Sequence, residues 1–151
     1  MLFRSVHQRL YQSYGPQGWW PGDGPADVII GAILTQAATW SNVEMAIANL
    51  KQAGCWSLEA IDNQPEEVLA EIIRPSGYFN AKARKLKAFA RHLQVNHAGD
   101  LDKMLSQETG PLRDELLSIH GIGPETADDI VLYAAGKPSF RSEEHTSELQ
   151  S

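Results

Sequence analysis

The segment "ADVIIGAILTQ", Ala26–Gln36, is almost entirely apolar, with Pro25 just before it. Alone, it reads as a buried strand or a buried helix, because a short apolar run does not reveal its period. A buried strand would need a neighbour to satisfy its backbone N–H and C=O groups. No other segment of the chain offers itself as that partner. The run is therefore expected to be a helix, and the fold an all-α helical bundle.

The rest of the chain keeps the helical period. Leu2, Phe3, Val6 and Leu10 recur at helical spacing, and "GPQGWWPGDGP" then reads as a loop. Ser41 and Glu44 form a candidate capping box opening "NVEMAIANLKQAG", which Gly54 can stop. Ser57 can cap "LEAI". Asn63 and Pro65 open "EEVLAEIIR", which Pro75 and Gly77 end. "YFNAKARKLKAFARHLQV" carries Phe79, Ala83, Leu86, Ala90 and Leu93 on one stripe. Lys82, Arg84, Lys85, Lys87 and Arg91 lie elsewhere, read as a solvated basic face that could also steer phosphates. Asp100 can cap "LDKML", Thr109 can cap "PLRDELLSI", and a last helix runs from about Pro124 to Gly136. Short connections between such helices imply antiparallel packing.

With 151 residues the chain can bury one sizeable core. No run is long and apolar enough for a bilayer span, and "MLFRSVHQRL" lacks the apolar core of a signal peptide, so a cytoplasmic protein with no membrane partner is expected. The single cysteine, Cys55, reads as a small half-buried apolar residue and excludes an internal disulfide or an all-cysteine metal site. The net charge of −6 argues mildly against nucleic acid. Leaving out the last eleven residues turns 13 basic and 19 acidic residues into 12 and 16, a balance of −4, so local clustering has to decide.

"LLSIHGIGPETADDI" is a helix, a Gly-Ile-Gly turn and a second helix. Gly121 and Gly123 are expected to adopt backbone angles closed to other residues and to let another backbone come near. Ile122 would tuck into the bundle and fix the turn. Main-chain N–H groups and the positive end of the second helix would then face one point, which suits a phosphate. A plain structural turn uses the same residues, and the two readings stay open on this motif alone. The absence of a preceding strand argues against a dinucleotide fold.

This hairpin resembles the helix-hairpin-helix of the DNA glycosylase superfamily that contains endonuclease III. "GAILTQAATWSNVEMAIANL" is similar to the segment bearing that family's gap-filling glutamine. "IIRPSGYFNAKARKLKAFA" resembles its GxxxxKAxxL helix. The match runs from about Trp19 to Phe140 with order and spacing kept. "WWPGDGP", "LTQ", "IRPSGYFN" and "GIGPETAD" point to a related branch that includes 3-methyladenine glycosylases. The resemblance implies an endonuclease III-like six-helix barrel domain at 25–140, with the hairpin at about 112–135. Residues 1–24 would belong to an incomplete second lobe.

What such an enzyme does dictates the site. It flips a damaged base out of double-stranded DNA, fills the gap and hydrolyses the N-glycosidic bond. By resemblance Gln36 fills the gap, and His120, Gly121, Ile122, Gly123 and Thr126, with Lys82 in support, bind DNA. Trp19, Trp20 and Trp40 would form the base pocket, with Trp20 and Trp40 sandwiching the base; core packing is the bland alternative. Indole faces would favour a cationic alkylpurine by about 0.5–2 kcal/mol. In members that also cut the strand, a lysine two residues after the second hairpin glycine forms a Schiff base. Glu125 stands there, so hydrolysis without lyase activity is expected.

The family's catalytic aspartate would fall near position 143, but "RSEEHTSELQS", Arg141–Ser151, resembles a translated sequencing adapter. The segment 141–151 is read as non-native, the protein as C-terminally truncated, and Glu143 as a coincidence. The chain itself is then expected to be inactive, with no catalytic residue and no metal. Many relatives hold an iron–sulfur cluster with four cysteines, so none is expected in this chain although its parent could carry one. A monomer acting on damaged DNA, in a prokaryotic cytoplasm and nucleoid, is the expected setting. Two alternatives remain: an endonuclease III-type enzyme for oxidised pyrimidines or mismatches, and a non-catalytic DNA-binding helix-hairpin-helix module.

Overall fold

The computed structural model describes residues 24–136. The expectations for Met1–Gly15, for Trp19 and Trp20, and for 141–151 with Glu143 lie outside the described residues.

The apolar run is a helix, α1 (Pro25–Leu34), with Pro25 in its first turn, where a missing N–H removes no helical bond. Ile29, Ile30, Ile33 and Leu34 are completely buried. A helix apolar on all sides needs protein on all sides. α1 has it, packed by α2 (Trp40–Gln52), α5 (Phe79–His97), α8 (Pro124–Asp129) and the π-helical turn Ile130–Ala134. Each such aliphatic side chain contributes about 1.5–3 kcal/mol of burial. The remaining elements are α3 (Leu58–Asn63), α4 (Glu66–Ile72), a 3₁₀ turn (Arg74–Ser76), α6 (Leu101–Leu105) and α7 (Thr109–Leu117). No strand occurs among the described residues, and no helix there is long and apolar enough to cross a membrane.

Local caps explain most helix ends. The Ser57 hydroxyl accepts from the Ala60 N–H (3.0 Å), and Asp100 Oδ1 from the Lys103 N–H (3.1 Å), as the sequence suggests. Two expected caps move. α2 begins at Trp40, and the Thr39 hydroxyl rather than Ser41 accepts from the Asn42 N–H. The chain turns sharply at Ala37 (φ +51°) and so enters the helix two residues early. Thr109 is the first residue of α7 rather than its cap. That start keeps Pro111 in the first turn, where its missing N–H has no helical acceptor to lose. The last helix has the expected extent but ends in the π turn, where the Ala135 N–H reaches the Ile130 carbonyl (2.9 Å). Cys55 is fully buried rather than half-buried.

The basic face of α5 is the main correction. Lys82 is 2% exposed, and its ammonium donates to the carbonyls of Leu34 (2.9 Å) and Ser76 (2.7 Å). Those carbonyls end α1 and the 3₁₀ turn, where helical acceptors lack partners and the dipole is negative. Burial, and then the charge of Lys85, lower the Lys82 pKa to about 8. Lys87 does the same for α3, donating to the carbonyls of Asp62 (2.7 Å) and Gln64. Arg84 pairs with Glu66 (3.6 Å) and Arg91 with Asp62 (3.2 Å). The lysines of α5 bind the bundle together while Arg84 and Arg91 stay largely exposed, and the Lys82 ammonium does not reach the surface to steer a phosphate.

Candidate nucleic-acid interface

α7, the turn 118–123 and α8 form the hairpin. Ile122 is buried in the bundle, and its N–H donates to the Ile119 carbonyl (3.1 Å). Arg113 Nε donates to Asp128 Oδ1 (2.8 Å), so the two helices are tied by an ion pair whose carboxylate is 3% exposed. The glycines differ. Gly121 has φ +86°, and a Cβ there would lie 2.2 Å from Lys85 Cγ. Gly123 does not take a glycine-only conformation as expected. It is extended (φ −91°, ψ −178°), with nothing within 4 Å of an added Cβ. Gly121 lets the hairpin sit on the Lys85 stem, whereas Gly123 leaves open the approach to the first turn of α8.

Gln36 lies two residues beyond α1, half-buried in the turn to α2. Its Oε1 accepts from Lys85 Nζ (2.9 Å), and its Nε2 donates to Thr126 Oγ1 (3.1 Å). One amide thus joins the α1–α2 turn, α5 and the first turn of α8. The three sequence segments that carry the resemblance meet at this side chain. Lys82 secures the turn from beneath by holding the Leu34 carbonyl. Ala37, next in the chain, has a left-handed backbone that is costly for alanine, and the bonds of Leu34 and Gln36 fix the chain that leads into it.

The other expected residues are placed less closely. Trp40 is the first residue of α2, partly buried and packed on the core edge. With Trp19 and Trp20 outside the described residues, Trp40 is the one ring of the three expected for a base pocket that is described. His120 is exposed and lines an open groove of about 390 Å³ with Arg84, Lys87 and Arg91 and with the carboxylates of Asp62 and Glu66 that pair with the two arginines. Glu125 is half-buried in the first turn of α8, where the helix dipole favours a negative charge. Cys55 lies in the apolar core as the sequence's one cysteine, so these residues do not supply the four thiolates of an iron–sulfur cluster.

Three residues hold the site in ways that the sequence does not show. Lys85 reads as one of several solvated cations, yet it packs under Gly121 and anchors Gln36. Its position three residues after Lys82, one helical turn on, was the available signal. Asp128 and Arg113 are fifteen residues apart, so no local spacing betrays their pairing.

Residues 30–146 match the HhH-GPD superfamily of base excision DNA repair proteins. The chain is 42% identical over 99% of its length to the "Putative DNA repair glycosylase" of Methanocaldococcus jannaschii, covering 68% of that protein. It is 34% identical over 72% of its length to a chloroplastic endonuclease III homolog of Arabidopsis thaliana, covering 26% of it. Among solved structures, it is similar to a 3-methyladenine DNA glycosylase of H. pylori bound to 1,N6-ethenoadenine. There the TM-score is 0.73 at 29% identity, with 90% of this chain and 64% of that one covered. An endonuclease III–DNA covalent intermediate shares the fold at TM-score 0.63 and 21% identity, over 100% of this chain and 68% of that one. The chain thus spans about two thirds of the length of these structures.

Proposed function

Because the chain belongs to the HhH-GPD superfamily of base excision DNA repair proteins, we propose that it is the DNA-engaging core of a glycosylase that hydrolyses alkylated purines from duplex DNA without cutting the strand. The observation that carries this reading is the Gln36 amide, held between Lys85 and Thr126 at the hairpin. In this reading the amide, beside an open helix start, enters the gap a flipped base leaves while the hairpin holds the neighbouring phosphates. Entering DNA requires Gln36 to exchange both bonds for bonds to the orphaned base. Gln36→Ala should therefore weaken binding to a duplex with an abasic gap more than to intact duplex, measured by fluorescence anisotropy. Equal losses on both would confine Gln36 to holding the fold.

Glu125 supports hydrolysis over lyase chemistry. A carboxylate cannot form the imine that strand cleavage needs. The aspartate expected to stabilise the cation-like sugar would fall near position 143, and in its place Glu143 follows Arg141 and Ser142 without an apolar lead-in. A misplacement of about 1 Å can cost a hundredfold. The chain as given is therefore expected to bind duplex without releasing base. Release that disappears in Glu143→Gln would instead make Glu143 the catalyst. A chimera carrying the archaeal relative's sequence from position 141 onward should release base and leave the strand whole. A borohydride-stable protein–DNA adduct in that chimera would overturn the monofunctional assignment.

The substrate class rests on the aromatic residues and on the likeness to a 3-methyladenine glycosylase. Trp40→Ala in the chimera should reduce the preference for cationic alkylpurines over neutral lesions by about 2- to 30-fold, equivalent to about 0.5–2 kcal/mol of cation–π attraction. A lesion panel headed by oxidised pyrimidines would favour the endonuclease III-type alternative.

A further inference from the structure

Away from Gln36, the end of α5 and the first helix of the hairpin meet at three side chains. His92 Nε2 and His97 Nε2 each lie 2.6 Å from the same Glu115 oxygen, Oε2. All three are partly buried, with side chains 14–20% exposed. The ligand atoms lie within 4.8 Å of one another. Gln107 fixes the carboxylate from its other side, donating Nε2 to Oε1 at 2.7 Å and to the Met104 carbonyl at 2.9 Å. Nothing in the DNA-binding arrangement uses this cluster.

We propose that His92, His97 and Glu115 form a Zn²⁺ site that clips α7, and with it the hairpin, to the C-terminal end of α5. Two imidazoles and a carboxylate suit a borderline cation such as zinc, whereas Mg²⁺ and Ca²⁺ prefer oxygen-only sets. Three protein ligands leave the fourth tetrahedral position to water. Zinc bonds of about 2.0–2.1 Å at tetrahedral angles separate ligand atoms by about 3.3 Å. The two N···O distances, each 2.6 Å, need to open by about 0.7 Å, which side-chain rotation can supply. Gln107 holds the Glu115 carboxylate from its far oxygen, which leaves Oε2 facing the two imidazoles as the third ligand atom. Coordination through Nε2 leaves each imidazole proton on Nδ1. For His92 the exposed Asn96 amide, 3.2 Å from Nδ1, can turn its oxygen to accept that proton, giving up its bond to the His92 carbonyl.

The test uses the full chain, stripped with chelator and titrated with ZnCl₂. The wild type should bind one zinc per chain, and its Tm should rise by about 5–10 °C at zinc a hundredfold above its Kd. Glu115→Gln retains a hydrogen-bond acceptor for both histidines but removes the charge, and should lose most of that shift. His92→Gln/His97→Gln should lose it entirely. Titration with Co²⁺ should give visible absorption bands of a four-coordinate nitrogen–oxygen site in the wild type alone, a readout independent of how stable the variants are. No zinc-dependent shift in the wild type, or equal zinc binding by the double variant, would reduce the cluster to a hydrogen-bonded network.

Discussion

Lys82→Met is expected to lower stability by about 2–4 kcal/mol at pH 7, measured by urea unfolding. Methionine nearly matches the volume of the lysine stem, so packing should survive and the loss is polar. Two buried carbonyls, those of Leu34 and Ser76, would lose the ammonium that bonds them. Each acceptor left unsatisfied costs about 1–3 kcal/mol, offset by no longer desolvating a cation. That offset gives the effect a pH signature. The folded-state pKa, about 8, lies below the ordinary lysine value of 10.5. Between those values the unfolded chain holds the proton and the folded one does not, so wild-type stability rises with pH there. The contribution is complete above 10.5 and lost as pH falls through 8. The gap between wild type and Lys82→Met should therefore widen from pH 7 to pH 10. A constant gap would mean that the ammonium is solvated and the variant merely packs badly. Because Leu34 is two residues before Gln36, the same variant should also weaken DNA binding.

How legible this was depended on whether a feature is local. α1 could be named a helix by elimination, because one buried strand cannot satisfy its own backbone. The caps at Ser57 and Asp100 rest on contacts within four residues, and they are where the sequence puts them. Those assigned to Ser41 and Thr109 moved because the start of a helix depends on how the preceding chain arrives. Lys82 reads as exposed in the sequence because it is charged. Lys82, Leu86, Phe89 and Leu93 share a helical stripe, and a cation inside such a stripe implies buried acceptors. Those acceptors come from residues 34 and 76, and no pattern along the chain links them to 82. The ion pair of Arg113 with Asp128 was out of reach for the same reason. The glycines of the hairpin read alike in sequence because both flank Ile122, but only tertiary contact with Lys85 separates their roles.

That separation yields the second large effect. Gly121→Val should destabilise the protein by about 2–4 kcal/mol. A left-handed backbone costs an ordinary residue about 1–2 kcal/mol, and a β-branched one more. The new Cβ would also overlap the Lys85 stem at 2.2 Å, and an overpacked site adds about 1–3 kcal/mol unless it relaxes. Relaxation means moving Lys85, which would release Gln36 Oε1, so loss of stability and loss of DNA affinity should appear together. Gly123→Val should behave differently. Its extended backbone accepts valine, and an added Cβ meets nothing within 4 Å, so stability should change by no more than about 0.5 kcal/mol. The isopropyl group would instead stand before the first turn of α8, where the phosphate is expected. Duplex affinity should fall about 5- to 30-fold, the loss of one or two phosphate hydrogen bonds, and equally for every sequence. Unfolding curves and anisotropy titrations on several duplexes read both quantities. A Gly123→Val protein as unstable as Gly121→Val would contradict the backbone geometry of the turn. One that folds and binds DNA like the wild type would move the phosphate site away from α8, and a loss that varied with base sequence would replace backbone contact by base readout.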